Sequence, residues 1–81
     1  MTKLEILQQA LEAREAEVLE YQINIEIFEL TITALRSESD MEAFVQDLEA
    51  RLSSSKHEQK KAQSILNSIK KLIEALLCTS K

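Results

Sequence analysis

Not one glycine or proline occurs in the 81 residues of this chain. Glycine supplies the positive-φ positions of tight hairpins and phosphate-cradling loops, and proline supplies rigid turns. A chain lacking both has few ways to reverse sharply or to bring its backbone close to a ligand. Long uninterrupted helix is what it forms most readily. With 44% of residues apolar and 30% charged, the chain also has enough hydrophobic material to fold rather than stay disordered.

The apolar residues keep helical time. Leu4, Leu7, Leu11, Val18, Tyr21, Ile25, Phe28, Ile32 and Leu35 recur at spacings of three and four, with one miss at Arg14. This is a heptad seam of coiled-coil type. Thr2 with Glu5 makes a capping-box pattern, so helix 1 is predicted over about residues 3–36. Residues 21–33 also alternate in the manner of a strand, through Ile23, Ile25 and Ile27. The heptad phase nevertheless runs through them unbroken and no second strand is available for pairing, so helix is expected there too.

Arg36-Ser37-Glu38-Ser39-Asp40 is the one cluster of turn-type residues in the first half, which places a turn at 37–40. Ser39 with Glu42 spells a second capping box. Helix 2 is predicted over about 41–78, with a seam of Met41, Val45, Leu48, Leu52, Ala62, Leu66, Ile69, Ile73 and Leu76. Ser55 and Gln59 are polar members of that seam, and Thr79 to Lys81 are expected to fray. Ser53-Ser54-Ser55 is the weak point, because serine lowers helix propensity and Ser55 with Glu58 repeats the capping-box pattern. Since the seam crosses it without a phase shift, one long helix, bent there at most, is favoured over two short ones.

A turn of about four residues forces the helices antiparallel, and folding at about residue 38 pairs positions whose numbers sum to about 77. Ile32 then meets Val45, Phe28 meets Leu48, Leu7 meets Ile69 and Leu4 meets Ile73, while Arg14 falls near Glu58 and Gln59. Charge agrees. Residues 1–36 carry Lys3, Arg14 and Arg36 against seven glutamates, residues 37–52 carry Arg51 against five acids, and residues 53–81 carry six lysines against Glu58 and Glu74. The acidic helix 1 would lie along the basic half of helix 2.

A two-helix hairpin has a single narrow seam, too little to offset the ordering of the backbone at roughly 1 to 2 kcal/mol per residue. Helix 1 carries a second stripe on its far side, Leu19, Ile23, Ile27 and Leu30 with Ala34, and helix 2 adds Phe44, Ile65, Leu72 and Leu77 beside its seam. Fully burying four such aliphatic side chains contributes about 6 to 12 kcal/mol. The expected architecture is therefore all-α: an antiparallel helical hairpin that dimerises into a four-helix bundle, with Leu19, Ile23, Ile27 and Leu30 as the dimer or partner interface. The alternative is a monomeric three-helix bundle broken near residues 53–55, in which the second stripe is core.

Chemistry has little vocabulary here. His57 and Cys78 stand about 30 Å apart along one helix at roughly 1.5 Å per residue, so no nucleophile and base meet within a chain. The carboxylate pairs Glu12 with Glu15 and Glu26 with Glu29 fall on solvent faces, and a zinc site of the His and Cys type lacks its remaining ligands. No catalytic, cofactor or metal residues are expected. Lys56, Lys60, Lys61, Lys70 and Lys71 form a basic strip available for anion contacts, but it holds no arginine and no aromatic platform, and the net charge of −4 opposes nucleic-acid binding.

With one cysteine no internal disulfide is possible, and the longest apolar run, Ala75 to Cys78, is far below a membrane span, so a cytoplasmic location is expected. The functional expectation is a small non-enzymatic interaction protein, an accessory or regulatory factor that homodimerises and docks a helical face on another protein. By analogy alone, modulators of host proteins encoded by viruses or mobile elements are often of this size and kind. The alternatives are an assembly chaperone subunit and a nucleic-acid-associated factor using the lysine strip.

Overall fold

The computed structural model describes residues 1–79. Two helices, α1 (Lys3–Leu35) and α2 (Glu42–Thr79), account for nearly all of them, and no strand occurs among the described residues. They lie antiparallel side by side as a rod of 64 × 15 × 15 Å. That length is about what the 38 residues of α2 require at roughly 1.5 Å per residue.

α1 starts where its first residues dictate. The Thr2 hydroxyl accepts from the Glu5 backbone N–H at 3.1 Å, and the Glu5 carboxylate accepts from the Thr2 N–H at 3.4 Å, which satisfies two otherwise orphaned donors. Residues 21–33 are helical throughout. Their β-branched threonines are accommodated by donating back to the preceding turn: the Thr31 hydroxyl to the Ile27 carbonyl at 2.7 Å, and the Thr33 hydroxyl to the Glu29 carbonyl at 2.9 Å.

The reversal is built without glycine. Arg36 N–H closes α1 on the Ile32 carbonyl, Glu38 N–H donates to the Leu35 carbonyl at 3.0 Å, and the Ser37 hydroxyl donates to the Ala34 carbonyl at 3.0 Å. Asp40 then adopts a positive φ of 69°, the left-handed conformation that a short polar side chain tolerates best after glycine. The second helix starts within one residue of the expected position, but that kink corrects the expected Ser39 cap. α2 opens at Glu42, and the carbonyl of Met41 accepts its first helical bond from Val45. Met41, not Ser39, holds the capping position, because the Asp40 conformation turns the chain between Ser39 and the helix.

α2 is unbroken through Ser53-Ser54-Ser55 and continues to Thr79, one residue past the expected end; positions 80 and 81 of the tail expected to fray lie outside the described residues. The three-helix alternative is thereby removed. A break would pull either Leu52 or Ala62 off α1, and both are on the seam, Ala62 buried and Leu52 half-buried.

Among the described residues, seven aliphatic side chains are buried: Ile25 and Ile32 from α1, and Val45, Leu48, Ala62, Leu66 and Ile69 from α2. All are positions of the 3-4 seam. A cluster of buried residues sits near the turn, where Ile32, Val45 and Leu48 are packed about by Phe28, Leu35 and Leu52. None of the described side chains is completely enclosed. In a two-helix layer every seam residue keeps one edge toward water, which limits what the hairpin can bury by itself.

Candidate interaction site

The two apolar faces of α1 have opposite fates. Seam residues Ile25 and Ile32 are only 4% exposed, whereas Leu19, Ile23, Ile27 and Leu30 are 59, 49, 55 and 72% exposed. At about 100° of rotation per residue, the two sets point roughly 160° apart. An apolar stripe about four turns long, ending on Ala34, thus lies bare on the outer side of the rod. Glu20 borders it on one side and Glu26 on the other, both exposed and, among the described residues, without a basic partner; Glu26 accepts from the Gln22 amide at 3.2 Å.

A second apolar surface lies at the open end of the hairpin, where Ile6, Leu7, Leu72 and Leu76 with the Lys3 stem line a shallow groove. The sequence pattern marks Leu72 as flanking the seam but passes over Ile6. The pairing that sets Leu7 against Ile69 also puts Ile6 beside Leu72, and that is the signal that could have found it. Ile65 extends this edge of α2, while Phe44, about half exposed, stands apart near the turn.

The polar middle of the seam differs from expectation. Arg14 turns along its own helix to Glu17 at 2.6 Å instead of crossing to Glu58 or Gln59. Gln59 reaches α1 one turn further on, donating its amide to the Val18 carbonyl at 3.5 Å and to the Gln22 side-chain oxygen at 2.9 Å. Glu17 lies one turn along the helix and competes successfully because an i,i+3 pair needs no long reach across the seam.

The charged halves lie side by side but are not stapled together. Among the described residues, one ion pair joins the helices, Arg36 to Glu49 at 3.0 Å beside the turn. Lys61 pairs with Glu58 on its own helix at 3.5 Å. Lys56, Lys60, Lys61, Lys70 and Lys71 are all exposed, and the antiparallel seam turns Lys60, Lys61 and Lys71 outward, away from the acids of α1. Surface pairs of this kind each contribute about 0 to 1 kcal/mol, so register rests on packing. His57 borders a shallow depression with Lys60, Lys61, Ser64 and Ile65.

Chemistry-bearing groups do not converge. His57 and Cys78 are both exposed on α2, far apart along its length. Glu12, Glu15, Glu26 and Glu29 all face solvent. Among the described residues, no three His, Cys, Asp or Glu side chains are placed to hold a metal ion, and no helix is long and apolar enough to cross a membrane. A polar recess at the turn is lined by Arg36, Glu38, Ser39, Asp40, Glu42 and Glu49, with its arginine already committed to Glu49. No protein family, no curated protein and no solved structure matches this chain.

Proposed function

We propose that this chain is a non-enzymatic helical interaction protein: an accessory or regulatory factor, cytoplasmic, working as a homodimer of hairpins that docks on another protein. The observation that carries this reading is the Leu19, Ile23, Ile27 and Leu30 stripe, exposed on the opposite side of α1 from a seam that α2 already fills. Four adjacent large aliphatic side chains in water are a cost that a soluble helix carries only when something covers them. A dimer contains four helices with α1 at its centre.

Sedimentation equilibrium tests it. The wild-type chain is expected at twice the 9.3 kDa chain mass in the micromolar range, and Ile27→Glu at the chain mass. An unchanged mass for Ile27→Glu removes the stripe from the interface.

The open-end groove of Ile6, Leu72 and Leu76 favours a second reading, an assembly chaperone that shields a partner's apolar helix. That reading expects Leu72→Gln to abolish protection of an aggregating client while leaving the dimer mass alone. The lysine strip is the basis of the nucleic-acid reading, which requires retention on heparin or DNA at low salt; passage through both without delay removes it.

A further inference from the structure

The exposed face of α1 reads nearly the same in both chain directions. Ala16, Leu19, Ile23, Ile27, Leu30 and Ala34 place small residues at the ends and four large aliphatics between them, centred close to residue 25. A helix with such a face matches itself when turned end for end. Leu19 then faces Leu30 of a second copy, Ile23 faces Ile27, and each terminal Ala meets the other where the helices close. The outer side of α2, opposite its seam, presents Ala50, His57, Ser64 and Lys71 with no large aliphatic, and the exposed Ile65 and Leu72 of α2 lie beside the seam toward the open end instead.

We infer that a second copy of this chain covers the stripe, with α1 packed antiparallel on α1 about a two-fold axis near residue 25. This deepens the dimeric reading above and rests on it. The stripe lies nearly opposite the seam, so the four helices line up as α2, α1, α1 and α2 in a flat array instead of closing into a square bundle. The axis sits well toward the turn, about 20 Å from residue 38 and about 33 Å from residue 3 at roughly 1.5 Å per residue. The open ends of the two hairpins consequently project in opposite directions, and both Ile6 and Leu72 grooves stay uncovered. Glu26 of each copy comes near its symmetry mate without a base between them. The pairing therefore carries a like-charge penalty that salt relieves.

The test is sedimentation equilibrium of the full chain and of Leu19→Lys, Leu30→Glu and the double variant, each checked for helix content. These residues are exposed, so the hairpin itself is expected to fold in every variant. Each single variant should weaken dimerisation by about a hundredfold, because a charge then faces leucine across the interface. The double variant should recover to within roughly tenfold of wild type, since the introduced ammonium of one copy then faces the introduced carboxylate of the other, twice per dimer. Raising NaCl from about 50 to 500 mM should tighten the wild-type dimer.

Failure of the double variant to recover overturns the antiparallel register. Weakening by salt overturns it in favour of docking on the basic side of α2. A wild-type dimer indifferent to both single variants overturns the inference while leaving a dimeric interaction protein standing, whereas a wild-type monomer up to about 200 μM overturns both.

Discussion

Gln59, a polar member of the α2 seam, reaches across and donates to the Gln22 side-chain oxygen on α1 at 2.9 Å, beyond the Arg14 miss in the α1 heptad. A polar residue in such a seam fixes register at some cost in stability, because a slipped pairing strands it among aliphatic side chains.

Replacing it shows both sides of that exchange. Gln59→Leu is expected to raise the thermal midpoint by about 4–8 °C, the equivalent of about 1 kcal/mol for a domain of this size. It should also broaden the mass distribution in sedimentation as register and partner choice relax. A lower midpoint with an unchanged mass would mean that the bonds to Gln22 and Val18 outweigh the added burial.

Ile32 and Ile27 are five residues apart on one helix and separate the hairpin from its assembly. Ile32→Ala removes a buried member of the cluster with Val45 and Leu48 and should cost about 2–4 kcal/mol in urea unfolding at any protein concentration. Ile27→Ala should cost less than about 0.5 kcal/mol under conditions where the chain is monomeric, and more as concentration rises. Equal, concentration-independent losses would contradict the exposure of Ile27.

The Asp40 backbone tests the turn. At a φ of 69°, Asp40→Val is expected to destabilise by about 1–2 kcal/mol, since a β-branched side chain clashes in the left-handed region. Asp40→Gly should be neutral or stabilising by up to about 1 kcal/mol, the removed strain being partly offset by the more flexible unfolded chain. Denaturant midpoints of the two variants, ordered the other way, would show a different turn.

Ser53 and Ser54 are exposed and interior to α2. In a continuous helix, Ser53→Ala with Ser54→Ala should stabilise by about 1 kcal/mol, because alanine is the better helix former. Were a new helix capped in this stretch, alanine would destabilise it instead, and the sign of the change in urea midpoint decides.

The parts of this protein legible in its sequence are those that depend on local period and chain reversal. Heptad spacing placed the buried set from Ile25 to Ile69, Thr2 and Glu5 marked the start of α1, and the short turn at 37–40 forced the antiparallel register that Gln59 makes with Val18. The bare face of Leu19, Ile23, Ile27 and Leu30 was legible for the same reason, since a helix with two apolar sides and one companion must leave one side wet.

What only the tertiary structure decided were choices among competing short-range partners. Arg14 prefers Glu17 on its own helix to Gln59 across the seam, α2 is entered through a left-handed Asp40 with Met41 and not Ser39 before its first turn, and Ile6 joins Leu72 in a groove at the open end. Each alternative differs by about the energy of one surface contact, and residue spacing does not resolve differences that small. Relative side-chain reach and the backbone angle at a single residue do.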